Sequence, residues 1–277
     1  MKYFSSSIVT CVCAAFFAVN AMSNMARAEK IEVAFVGVAH IHTPEFTKIL
    51  QERSSDVTCK YVWDHDPARA QKVAQKLNAT VVDDLEKIWS DPQIKAVIIC
   101  SETNRHKDLI LAAAKAHKQV YAEKPLGVGS ADAYEMARAL DDAGLMFTTG
   151  YFMRDDPKII FLKEQCDKGN FGTITRIRGV NVHNGALGGW FDSDWRWMAD
   201  PSQSGVGGYG DLGTHSLDLL LWLMSDPVDR VTATVSNGTA RYPNCDEFGE
   251  GILLFHNGTI GTLAAGWDDV SNPVTLE

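Results

Sequence analysis

The sequence predicts an α/β fold: an N-terminal doubly wound parallel sheet, then a C-terminal α+β domain with a mainly antiparallel open sheet. Three observations carry this. Between Glu29 and Gly150, short apolar runs alternate with stretches opened by proline or capping residues, as strands do when crossover helices join them. From Tyr151 onward that alternation stops, and strand-like runs flank one strongly apolar helical segment. Near the end, Asn257-Gly258 sits between two such runs, a strong hairpin signal. The expected boundaries are 1–28 for a leader, 29–150 for the first domain and 151–277 for the second.

The elements follow in order. Ile31 to Val36 reads as a strand ending at Gly37. Thr43-Pro44 reads as an N-cap and first helical residue, opening a helix to about Gln51. Cys59 to Trp63 is a second strand, closed by Asp64, and Pro67 starts a helix through Leu77. Ala96 to Cys100 suits a strand buried on both faces. A helix from about His106 to His117 and a strand from Gln119 to Ala122 follow. Ser130 caps a helix ending before Gly144, and Leu145 to Thr149 is one more strand. In the second half Thr173 to His183 reads as a long strand. Gly185 to Gly210 reads as an irregular functional loop, long enough to demand a reason. Thr214 to Met224 is the apolar helix, Val231 to Ser236 a strand, and Gly249 to Phe255 and Thr259 to Trp267 the hairpin.

Composition narrows the function classes. The chain has 277 residues, 45% hydrophobic, with a formal charge of -9, so a nucleic-acid partner is not expected. Ile8 to Val19 is an apolar run too short for a comfortable membrane span, and Ala26-Arg27-Ala28 follows it with a small-x-small cleavage pattern. This predicts a signal peptide over 1–28, Sec-type because no Arg-Arg pair precedes the run. The mature chain is then periplasmic, with no membrane contact after signal removal. Cys59, Cys100, Cys166 and Cys245 would remain, widely spaced and without CxxC, so no disulfide scaffold is implied.

Three constellations carry chemistry. The first βα turn, Gly37-Val38-Ala39-His40-Ile41-His42, partly fits a dinucleotide fingerprint, in which glycines allow the turn, the pyrophosphate approach and helix packing. Gly37 fits, Ala39 is a tolerable substitute and His42 departs; a plain βα connection would read much the same. Asp64, at the end of the second strand, can accept hydrogen bonds from adenosine ribose hydroxyls, or simply start the Asp64-His65-Asp66-Pro67 turn. Such a carboxylate repels a 2′-phosphate and no arginine follows directly, which favours NAD over NADP. In Glu123-Lys124-Pro125, proline holds Lys124 extended at a strand's C-terminal end, where ligands bind in such sheets. A lysine there can bind a substrate hydroxyl and favour the developing alkoxide; otherwise it is a solvated turn residue. Asp211 and His215 lie four apart and share a face on a helical start, the arrangement of an oriented general base, or of a helix cap beside a structural histidine.

Taken in order, GVAHIHTP, VWDHDP, IICSETNRH, VYAEKPLGV, GYFMRDDP and GVGGYGDLGTHSLDLLLWL resemble the Gfo/Idh/MocA oxidoreductases over the whole chain from Ile31. The resemblance implies a Rossmann domain binding NAD, then a substrate and oligomerisation domain. It implies that Lys124 binds the reacting hydroxyl, with a cis peptide before Pro125. His215 would remove the hydroxyl proton while hydride passes to the nicotinamide, and Asp211 would orient substrate and histidine. Gly37, Ala39, His40, Asp64, Ser101, Thr103, Asn104, His106, Glu123, Lys124 and Arg154 fall where relatives touch or approach the dinucleotide. The substrate class is a small carbohydrate: sugars, inositols and their glycosides.

Trp190, Trp195, Arg196 and Trp197 precede the Asp211 segment. Trp195 and Arg196 are candidates for substrate binding, by stacking and by holding hydroxyls; a core or dimer role fits the tryptophans equally. His40, His42 and His183 lack a nearby acidic cluster in sequence, so no metal is expected. Because free NAD is scarce outside the cytoplasm, an NAD-recycling glycosidase or sugar–sugar oxidoreductase stands beside the simple dehydrogenase. A non-catalytic sugar or nucleotide sensor on the same scaffold is a third reading. The resemblance also implies a homo-oligomer, and a second sheet that continues past Glu277, so that a fragment is one reading of this chain.

Overall fold

The computed structural model describes residues 30–277, so the leader assigned to 1–28 lies outside the described residues. The first sheet is built from β1 (Ile31–Val38), β2 (Val57–Trp63), β3 (Thr80–Val81), β4 (Ile94–Cys100), β5 (Gln119–Ala122) and β6 (Phe147–Thr149). Its order is β3-β2-β1-β4-β5-β6, all parallel. The crossovers are α1 (Thr43–Glu52), α2 (Pro67–Leu77), the short α3 (Glu86–Trp89), α4 (Thr103–Lys115) and α5 (Ser130–Asp142).

The period of two along β1 explains why its apolar run is unbroken. Val33 and Phe35 pack with Phe46 and Leu50 of α1 and Ala70 and Val73 of α2. Ala34 and Val36 face the other way, onto Leu109 and Ile110 of α4 and Met136 and Leu140 of α5. A strand covered on both faces has no polar side. Completely burying Phe35 stabilises the sheet by roughly 1.5–3 kcal/mol.

The second half holds α6 (Pro157–Asp167), β7 (Arg176–Val182), the short helices α7 (Gly185–Gly188) and α8 (Pro201–Ser204), α9 (Gly208–Met224), β8 (Val228–Ser236), β9 (Phe248–Phe255), β10 (Ile260–Gly266) and β11 (Val274–Leu276). Its five-stranded sheet runs β11-β7-β10-β9-β8, antiparallel throughout except for β7 with β10. Leu220 and Leu223 of α9 pack on Ile177, Leu253, Phe255 and Leu263 across one face of this sheet. The expected hairpin is present, with Gly258 at φ 88° and Asn257 Oδ1 accepting from Thr259 N at 2.9 Å.

Several boundaries differ from the sequence reading. Thr43 is the first residue of α1 and not its cap; His42 holds the N-cap position without a side-chain bond. Ser130 likewise follows Gly129, which caps α5 without a side-chain bond. Helix α4 begins at Thr103, and α9 at Gly208 instead of Thr214. The early start of α9 is secured from a distant segment, since Asp246 Oδ2 accepts from Tyr209 N at 2.9 Å. The stretch 185–210 is not irregular: it folds into short helical turns that bury Phe191, Trp197 and Met198. Helix α6 has no counterpart in the sequence pattern, although Asp156 caps it by accepting from Lys158 N. The four cysteines from Cys59 onward are free thiols. Among the described residues no helix is long and apolar enough to cross a membrane.

Candidate active site

The C-terminal ends of β1, β2, β4 and β5 lie side by side, so the segments that follow them share one edge of the sheet. That edge brings together Ala39 to His42, Asp64, Ser101 to Thr103, and Glu123-Lys124. Gly37 fits its place for a steric reason: its φ is 88°, and a Cβ there would lie 2.5 Å from Ser101 Cβ.

Lys124 is the hub. Its peptide bond to Pro125 is cis, and its side chain is buried. The ammonium donates to Asp211 Oδ1 at 2.5 Å and to the Asp211 carbonyl at 3.3 Å. The other carboxylate oxygen, Asp211 Oδ2, accepts from the Trp267 indole N–H at 2.9 Å. Burial pushes the Asp211 carboxyl up, but the Lys124 charge, its hydrogen bond and the Trp267 bond outweigh it and hold the group well below the usual range. Asp211 therefore turns to Lys124; its carboxylate is not bonded to His215, as the spacing of four had suggested.

His215, on the same helix, is buried, with the rings of Phe152 and Tyr151 edge-on at 5.1 and 6.1 Å. Burial, then the Lys124 charge, lower its pKa to about 3, against the opposing pull of Asp211. The ring is neutral at physiological pH, and its Nδ1 is buried without a hydrogen-bond partner. Lys124, Asp211 and His215 thus share one electrostatic site spanning both domains.

Glu123 is almost wholly buried. Its Oε1 is 3.1 Å from His42 Nδ1, and its Oε2 accepts from Lys124 N at 3.0 Å. Burial pushes its carboxyl up, yet the His42 bond and the neighbouring charges of His40, His42 and Lys124 hold it at about 2. His40, buried against His42 and Trp197, has its pKa lowered to about 3, first by burial. The ligand atoms of His40, His42 and Glu123 lie within 4.8 Å of one another, a spacing that could hold a metal. Their donors and acceptors are already largely matched to one another and to the Lys124 amide, so the group reads as a hydrogen-bonded dyad with His40 behind it.

Asp64 is buried. It accepts from Val38 N at 2.7 Å, from Asp66 N at 2.8 Å and from Arg69 Nη2 at 2.8 Å. Arg69 does not follow Asp64 directly in sequence; it stands five residues on, where the first turn of α2 carries it back over Asp64. His106 is buried between the carbonyls of Ser101 and Leu126, where it joins the β4 and β5 turns. Ser101 Oγ donates to the Glu102 carbonyl, and Asn104 is exposed at the start of α4. Arg154 pairs with Asp218 and lies 5.1 Å over Trp222, tied to α9.

Among the aromatic and basic residues before Asp211, Trp197 lines a small cavity with Lys124 and Asp211, and the others have the following neighbours. Trp195 lines a groove of about 710 Å³ with Pro44, Arg69 and Lys72. Arg196 lies 4.8 Å over Tyr242 and 3.5 Å from Asp192. Trp197 is core, donating to the Ala39 carbonyl at 3.2 Å. Trp190 stacks on His183 at 4.6 Å.

The edge suits a dinucleotide. Thr103 Oγ1 and Glu102 Oε2 are buried there without hydrogen-bond partners, and buried polar atoms of this kind call for a polar ligand. Asp64, Ser101 to Thr103 and Glu123 would hold it, with the nicotinamide end towards Lys124.

The family model for the NAD-binding Rossmann fold of an oxidoreductase family matches residues 31–151, and the GFO/IDH/MocA C-terminal domain model matches 159–277. The chain is 26% identical to the 2,7-anhydro-N-acetylneuraminate hydratase of Mediterraneibacter gnavus, over 74% of this chain and 52% of that protein. It is 29% identical to the myo-inositol 2-dehydrogenase of Thermotoga maritima, over 60% of this chain and 47% of that one. The chain thus spans about half the length of these curated relatives. Its fold is similar to a levoglucosan dehydrogenase solved with NADH and levoglucosan, at TM-score 0.79 and 22% identity, covering 90% of this chain and 70% of that one.

Proposed function

The chain belongs to the Gfo/Idh/MocA family of oxidoreductases, and on that premise we propose that it moves a hydride between NAD and a secondary hydroxyl of a sugar, polyol or glycoside. One observation carries the reading: Lys124 of the first domain is fixed by Asp211 of the second, one helical turn from a neutral His215.

Each residue has a task. An ammonium has three N–H donors, and Lys124 spends two on Asp211. The third is free for a substrate hydroxyl, and the charge favours the alkoxide that forms as the proton leaves. Asp211 and Trp267 fix that ammonium in place. His215 Nδ1, unpartnered, accepts the hydroxyl proton. The bound nicotinamide supplies the hydride acceptor. A second reading, in which the cofactor is recycled without leaving, draws support from the similarity to a hydratase.

The same proposal has the mature chain exported, on the apolar run Ile8 to Val19 and Ala26-Arg27-Ala28. It also has the chain oligomeric through the second sheet, whose outer face carries Arg176, Arg178, Glu250 and Ile252.

The test offers the purified chain NAD and a panel of inositols, anhydrosugars and glycosides, following NADH absorbance and product by mass spectrometry. NADH formed with oxidised product supports the dehydrogenase; product without net NADH supports recycling. No turnover and no dinucleotide by native mass spectrometry or titration would sink both.

A further inference from the structure

We propose that Glu102, through its hold on Arg69, is the residue that selects NAD against NADP; this rests on the NAD-binding reading above. Arg69 leaves the first turn of α2 and donates to Asp64 Oδ1 through Nε at 3.1 Å and Nη2 at 2.8 Å. The same Nη2 reaches Glu102 Oε1 at 2.9 Å. Because β1 lies between β2 and β4, this bridge crosses from the turn after β2 to the turn after β4, over the end of β1. That is the groove in which the adenosine half of a dinucleotide lies in doubly wound sheets.

A lone arginine beside Asp64 would attract the 2′-phosphate of NADP. Here the guanidinium is shared by two carboxylates, whose side chains are 0% and 5% exposed. With both carboxylates already paired to it, a 2′-phosphate can recruit Arg69 only by drawing it off Asp64 and Glu102. A ribose with two free hydroxyls meets acceptors instead. Glu102 Oε2 is one of them: it is buried without a hydrogen bond, with His65 and Arg105 approaching only to 3.6 and 3.5 Å. Two carboxylates then read the ribose, Asp64 from the β2 side and Glu102 from the β4 side. A sequence scan for an arginine directly after Asp64 misses the device, because the arginine is present but neutralised.

The test titrates the full chain with NADH and with NADPH, following protein-to-nicotinamide fluorescence transfer, so that no turnover is needed. The wild type is expected to bind NADH at least tenfold more tightly. Glu102→Gln, nearly isosteric, should weaken NADH several-fold, strengthen NADPH and shrink their ratio at least tenfold. Adding Arg69→Leu should abolish the gained NADPH affinity. If Glu102→Gln fails to fold, Arg69→Leu alone still decides: relieved of its partner, Glu102 should reject NADPH more strongly than before. A ratio unmoved by these changes, or a wild type indifferent to the two cofactors, overturns the proposal while leaving NAD binding intact. A wild type that binds neither overturns both it and the NAD-binding reading.

Discussion

The ammonium of Lys124 lies 2.5 Å from the Asp211 carboxylate, across 87 residues of sequence and from one domain to the other. Both groups are buried. Removing one partner of such a pair strands the other charge, at about 3–5 kcal/mol, whereas replacing both can be nearly neutral.

Lys124→Met is therefore expected to abolish turnover and to destabilise the chain by roughly that amount. Lys124→Met with Asp211→Leu should recover much of the stability and none of the activity. Urea unfolding of the two singles and the double gives the coupling directly; additive losses would show that the contact does not form in solution.

Acid should loosen the fold early. His40 and His215 both have folded pKa values near 3, against an ordinary 6.5. Between those values the unfolded chain binds more protons than the folded one, so stability rises with pH across the window and falls on acidification. Each ring costs the fold up to about 1.4 kcal/mol for every pH unit below 6.5. The depressed Glu123 and Asp211 carboxyls add a loss of the same sign at lower pH. Melting temperature measured from pH 8 to pH 4 should drop, and His40→Gln should flatten the slope; a flat wild-type profile would contradict the burial of neutral rings.

Trp267 is fully buried and gives its indole N–H to Asp211. Trp267→Phe should cost about 1–3 kcal/mol for the unsatisfied carboxylate oxygen. It should also lower kcat more than it alters NADH affinity, since Lys124 is loosened but the adenosine half is untouched. Equal losses in both would place Trp267 in folding alone.

Arg154, a candidate for the cofactor cleft, pairs with Asp218. Its side chain is 41% exposed, so the pair is worth little, about 1 kcal/mol or less. Arg154→Met should leave NADH affinity within a factor of two in a fluorescence titration. A tenfold loss would return it to the cofactor site.

Much of this was legible in the chain. The β-α alternation from Ile31, the Asn257-Gly258 hairpin and the extended Lys124 before Pro125 are local facts, set by apolar period and by backbone sterics. The same locality limited the reading. The start of α9 waited on Asp246, a cap 37 residues away from Tyr209. Composition offered Trp195 and Arg196 as sugar ligands but could not say what they touch, and packing sets Arg196 over Tyr242.

Sequence by itself determined that two sheets form, that one is parallel, and that Lys124, Asp211 and His215 fall at strand and helix positions fit for chemistry. Only the tertiary structure decided whom they meet. Asp211 chose Lys124 over His215, and Arg69 reached past Asp64 to Glu102, because a buried charge takes the nearest opposite charge that folding brings to it. Separation along the chain does not enter that choice.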